Sequence, residues 1–208
     1  PVPSWNETPP QDPDAVDALA ATFVQSDGDI REVMRTLLNS DFFKAARFKR
    51  VKSPAEFVGG VIKLAGAPRF PDLSVARLSR ATMLMGQDLM NPPSVEGWHT
   101  GPEWLDSGTL TERVNFAVEQ LMDTSKPGLA SIVERVAAAG DATPEQFVDR
   151  CLELCGPLPV SAQTRATLVE RAEEAGPLSF SNGASEEAEG RIGRMVQLIV
   201  AAPEYQYS

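Results

Sequence analysis

Apolar side chains return at helical intervals along almost the whole chain, and that period leaves little room for any fold but a helical one. Val16, Leu19, Ala20 and Phe23 share one stripe, and Ile30, Val33, Met34 and Leu37 the next, with Asp27, Gly28 and Asp29 breaking the chain between them. The pattern recurs at Phe57, Val61 and Leu64, at Leu110, Val114, Ala117 and Leu121, and at Ile192, Met195, Val196 and Ile199. It predicts a short helical stretch around Phe42, Phe43 and Phe48, and longer helices from about Asp72 to Met85, Leu129 to Ala139, Pro144 to Cys155, Ala162 to Ala175 and Ala184 to Ala202. No segment alternates apolar and polar residues far enough to make a convincing strand. The expected class is all-α, a multi-helix domain of about ten helices with one long loop rich in Pro, Gly and Trp.

Helix boundaries are written in residues with specific backbone chemistry. Ser53-Pro54-Ala55-Glu56 reads as an N-cap, a proline at the first helical position and an acidic first turn. Gly156-Pro157 and Gly176-Pro177 each place a left-handed-tolerant residue before one that cannot continue a helix. Gly59-Gly60, inside a helix, predicts a close helix crossing. Residues 1–13 hold five of the 17 prolines and read as an extended arm. Residues 14–208 read as the helical domain, divisible into two helical subdomains that meet at the 91–108 loop.

A chain of 208 residues, 42% hydrophobic and 23% charged, supports a real core, and composition excludes overall disorder. No run approaches the roughly 18 apolar residues of a membrane span. Net charge of -10 argues against nucleic acid as a partner. The chain opens on Pro1 without a signal-peptide pattern, so a processed product or a piece of a longer protein is expected.

Several side chains have the types that chemistry uses. Cys151 and Cys155 lie one helical turn apart, but Phe147, Val148 and Leu152 share their face, so buried thiols are expected rather than metal ligands. Lys44, Arg47, Lys49, Arg50 and Lys52 form a basic run, expected to dock on the N-terminal acids or on another part of the protein. The 91–108 loop holds Trp98 and Trp104, flat surfaces suited to a sugar, with Glu96, Glu103 and Asp106 as carboxylates and His99, the only histidine, as a proton shuttle. The more economical expectation is structural, with tryptophans pinning a proline-rich loop and carboxylates capping or solvating it. Gln87 ends the preceding helix, Ser107 or Thr109 is expected to cap the following one, and Arg113 is expected to reach Asp106 or loop carbonyls. Trp98 is expected to anchor the loop by burial.

The stretch Met85-Gly86-Gln87-Asp88-Leu89-Met90-Asn91-Pro92-Pro93-Ser94-Val95-Glu96-Gly97-Trp98, followed by Trp104, Ser107, Thr109-Leu110, Arg113 and Asn115-Phe116, resembles the signature of a large bacterial family catalogued as domain of unknown function eighteen hundred. Lys52-Ser53-Pro54-Ala55-Glu56-Phe57 and Glu204-Tyr205-Gln206-Tyr207 resemble two further segments of that family. The resemblance implies the C-terminal part of a longer bacterial protein, exported or periplasmic and otherwise cytoplasmic, with no catalytic residue or cofactor to carry over. His99 and Thr100 stand where members often have Pro after Gly-Trp, so a role for His99 would not be general to the family. The resulting expectation is a non-catalytic binding or assembly module that meets the N-terminal half of its own precursor or a partner protein. The alternative is a hydrolase or carbohydrate-binding domain using the 91–108 loop.

Overall fold

A computed structural model describes residues 12–66, 75–98, 100–180 and 184–208. Ten α-helices and no strand occur among them, in keeping with the all-α class. No helix among the described residues is long and apolar enough to cross a membrane. Most of the Pro-rich arm, together with Asp72 and His99, lies outside the described residues. The chain divides into two compact units, Pro1–Lys49 and Arg50–Ser208, with the 91–108 loop inside the second.

The first unit is a helical hairpin, α1 (Pro13–Gln25) and α2 (Ile30–Asn39), followed by the short α3 (Asp41–Ala45). Asp12, Asp29 and Ser40 cap the three N-termini with side-chain oxygens. The reversal at Asp27 and Gly28 uses left-handed backbone at both positions, φ 54° and 83°, and the Gly28 N–H closes it on the Phe23 carbonyl. No described residue of this unit is buried.

The second unit comprises α4 (Pro54–Ala65), α5 (Val75–Leu84), α6 (Ser107–Leu121), α7 (Pro127–Ala138), α8 (Pro144–Cys155), α9 (Ala162–Glu174) and α10 (Glu186–Ala201). Helix α10 is its axis, packing against α6, α7, α8 and α9, with Ile192, Val196 and Ile199 wholly withdrawn from water. Helix α4 packs against α5, α6 and α7. The predicted glycine stops hold, since Gly156 and Gly176 take φ 121° and 73° after α8 and α9. The predicted crossing at Gly59-Gly60 does not. Gly59 faces open space, and a Cβ on Gly60 would meet only the Tyr205 hydroxyl, at 3.5 Å. The tight approach lies between the end of α4 and the start of α7, where a Cβ on Gly128 would stand 2.1 Å from the Leu64 carbonyl oxygen. Gly66, at φ 98°, ends α4 at the same place. The C-terminal residues return to the start of the unit, where Val51 bridges Tyr207 and Ser208 N–H donates to the Arg50 carbonyl at 2.8 Å.

Candidate functional site

The start of α4 is built as its sequence reads. The Ser53 hydroxyl accepts from Glu56 N–H and the Glu56 carboxylate accepts from Ser53 N–H, satisfying both orphan donors reciprocally. Glu56 also receives both Nη atoms of Arg50, and that guanidinium chiefly holds its carboxyl down at about 2. One donor of the first turn, Ala55 N–H, finds no partner within its own helix. Gln87 Oε1 accepts it at 2.9 Å from beyond the end of α5. The buried Gln87 thus ties the beginning of the long loop to the beginning of α4.

Arg113, in the second turn of α6, ties the same place from the other side. Its side chain is fully buried, Nη2 donating to the Lys52 carbonyl at 2.9 Å and Nη1 to Gln206 Oε1 at 3.3 Å. Burial pushes the guanidinium down to about 10. The Phe57 ring lies 5.1 Å from it, edge-on to Tyr205 with centroids 6.0 Å apart. Lys52 completes the node, donating from Nζ to the Tyr205 carbonyl at 2.7 Å while its ammonium sits 3.9 Å over the Tyr205 ring. Burial lowers the Lys52 ammonium, and raises the Tyr205 phenol to about 12. Three segments far apart in sequence, 52–57, 87–113 and 205–206, meet here. Arg113 therefore reaches the 52–57 segment and the C-terminal tail, not Asp106 or the loop carbonyls, because its position on α6 directs it into the core.

The loop itself is held by short-range bonds. Trp98 Nε1 donates to the Asp88 carbonyl at 3.1 Å, and the Asn91 side-chain amide to the Asp88 carboxylate at 2.9 Å. Gly97, at φ 100°, closes a turn on Ser94. Trp98 is only half-buried, beside a shallow hollow of about 520 Å³ bounded by Met83, Pro92 and Pro93. The tryptophan that anchors by burial is Trp104, 8% exposed in the 3₁₀ turn Gly101–Trp104, with its indole close to Gly86 and its carbonyl accepting from Thr109 Oγ1. Asp106, not Ser107 or Thr109, caps α6, accepting from Gly108 and Thr109 N–H at 2.7 and 2.9 Å, which holds its carboxyl below the usual range. Glu96 and Glu103 are exposed, and His99 lies outside the described residues.

Among the described residues no three His, Cys, Asp or Glu side chains group to hold a metal ion. Cys151 is buried and Cys155 partly so, both as free thiols, and burial raises both, Cys155 to about 12. The basic run does not act together. Lys44 donates to the Asn39 carbonyl near Asp41, Arg47 covers the Phe48 ring, Arg50 pairs with Glu56, and Lys52 belongs to the node. Arg50 thus meets a partner six residues away, and Lys52 one at the far end of its own unit. Tyr205 and Gln206 were the components that side-chain chemistry alone did not single out; their only signal was the family likeness of the segment that carries them, and Lys52 read only as one charge of the basic run.

A family described as Protein of unknown function (DUF1800) matches residues 5–207. The chain belongs to this family. All three segments that build the node lie within the matched residues. No curated protein and no solved structure matches the chain.

Proposed function

We propose that this DUF1800 chain is a non-catalytic binding or assembly module of a larger bacterial protein, and that the outer edge of its signature loop is the contact surface. The observation that carries this reading is the division of labour within the signature. Gln87 and Arg113 spend their polar groups inward on Ala55, Lys52 and Gln206, while Met90 and Val95 stand 94% and 106% exposed. Met90 also takes φ 67°, a left-handed conformation that costs a residue with a Cβ roughly 1 kcal/mol or more. A strained backbone presenting an apolar side chain to water suits a surface that a partner covers. Asp106, occupied as a helix cap, favours this reading over a hydrolase at the same loop.

The partner is the N-terminal half of the same precursor or a second protein, in an exported, periplasmic or otherwise cytoplasmic setting. Pull-down of the full gene product with mass spectrometry identifies it. Met90→Ser with Val95→Ser is expected to abolish the stoichiometric interaction with no loss of melting temperature. Retention of the partner at full strength by that variant overturns the assignment of the surface.

A further inference from the structure

A second surface, independent of the loop reading, lies between α5 and α6. Helices α4, α5 and α6 enclose a groove of about 640 Å³, well within the range of volumes that hold ligands. Its floor is apolar, with Met85 fully buried and Phe116 nearly so. Its walls carry opposite charges. Lys126, its ammonium committed to the Gln120 carbonyl and side-chain oxygen, borders one end; Arg77 and Arg80, exposed and one turn apart on α5, line one side, and Glu112 and Glu119, two turns apart on α6, line the other. Among the described residues none of these four is in an ion pair.

This arrangement discriminates between occupants. An anionic ligand gains at the arginine wall and is repelled by the glutamate wall, and a cationic one meets the reverse. A wholly apolar ligand leaves both rows of charge unused. An occupant with an apolar stripe flanked by acids on one side and bases on the other satisfies floor and walls together, and in proteins that pattern belongs to an amphipathic helix lying in a groove. The geometry points to a helix-docking groove between α5 and α6 that takes an amphipathic helix of a partner chain, its acidic flank against Arg77 and Arg80 and its basic flank against Glu112 and Glu119. The two charged rows also fix which way the helix runs, because reversing it puts like charges together.

Fluorescence anisotropy with the whole chain tests this, using three labelled helical peptides of about 15 residues that share one leucine stripe. One peptide carries a Glu flank and a Lys flank, one has Glu on both flanks, and one has Lys on both. The mixed peptide is expected to bind tightest, by roughly tenfold or more. In R77E/R80E both walls are acidic, so the mixed peptide weakens by roughly tenfold and the all-Lys peptide becomes the tightest. In E112K/E119K both walls are basic, and the all-Glu peptide takes that place. All four positions lie on the groove walls rather than in the core, and thermal melts establish that each variant is folded. Absence of saturable binding by every peptide, or a ranking that neither charge reversal changes, overturns the assignment. Tighter binding of the all-Glu peptide by the unaltered chain overturns it too, giving the groove to an anionic ligand.

Discussion

Arg113 is the largest fully buried side chain among the described residues, and it hydrogen-bonds to neutral acceptors, the Lys52 carbonyl and the Gln206 amide oxygen. Those acceptors and the Phe57 ring replace part of the water a buried guanidinium loses, while its buried Nε has no hydrogen-bond partner among the described residues. Truncation to Arg113→Ala removes two hydrogen bonds, strands both acceptors and opens a void, so a loss of about 3 kcal/mol or more is expected in urea unfolding. Arg113→Lys, a point charge that cannot span two acceptors, is expected to recover only part of it. Gln87→Leu leaves Ala55 N–H unsatisfied and should cost about 1–2 kcal/mol. Glu56 makes a pH-dependent contribution. Its folded carboxyl titrates at about 2 against an ordinary value of 4.5, so the stabilisation is present above that ordinary value and disappears as pH falls through the folded one. Glu56→Gln should therefore flatten the fall in melting temperature between about pH 5 and pH 2, modestly, because the pair with Arg50 is solvent-screened. At this scale the sequence was half legible: Gln87 and Arg113 read as staples of the loop, but their acceptors and donors stand 32, 61 and 93 residues away, and no local pattern encodes such pairings.

Helices and their ends were the most legible level, because caps act within one turn. The box at Ser53 and Glu56, the proline starts of α4 and α8 and the glycine stops of α8 and α9 all stand where local chemistry puts them. Where two candidates lay side by side, as Asp106 beside Ser107 and Thr109, the backbone chose the one in extended conformation, ψ 170°, whose carboxylate reaches two N–H groups at once. Contacts between helices were less legible, since any glycine in a helix suits a close approach and only tertiary packing selects one. That distinction is measurable. Gly128→Ala drives a methyl into the α4 backbone at Leu64 and Ala65, and a destabilisation of about 2–3 kcal/mol or misfolding is expected. Gly59→Ala, on an exposed helix position with nothing within 4 Å, should instead stabilise by about 0.5–1 kcal/mol. Thermal melts of the two variants, read side by side, check both signs.

At the scale of the whole molecule, the two units differ in what holds them. The second has a continuous apolar core and the node that joins its first and last residues, whereas the first has no buried described residue and rests on caps, one hairpin reversal and partial stripe contact. The fragment 50–208 is expected to melt cooperatively on its own, and the peptide 12–49 to show weak, non-cooperative helicity by circular dichroism. Loss of cooperativity in the larger fragment would contradict this division. The node has one more consequence, for the order of events during synthesis. Its final pairings join residues up to 158 apart in sequence, so segment 50–57 leaves the ribosome while Gln206 and Ser208 are still to be added. Until then Arg113 has one acceptor fewer and Lys52 lacks the Tyr205 carbonyl. Residues 205–208 thus complete the junction on which the first turn of α4 depends, and a chain interrupted before them is left with buried cations short of their acceptors, an open state suited to proteolytic removal.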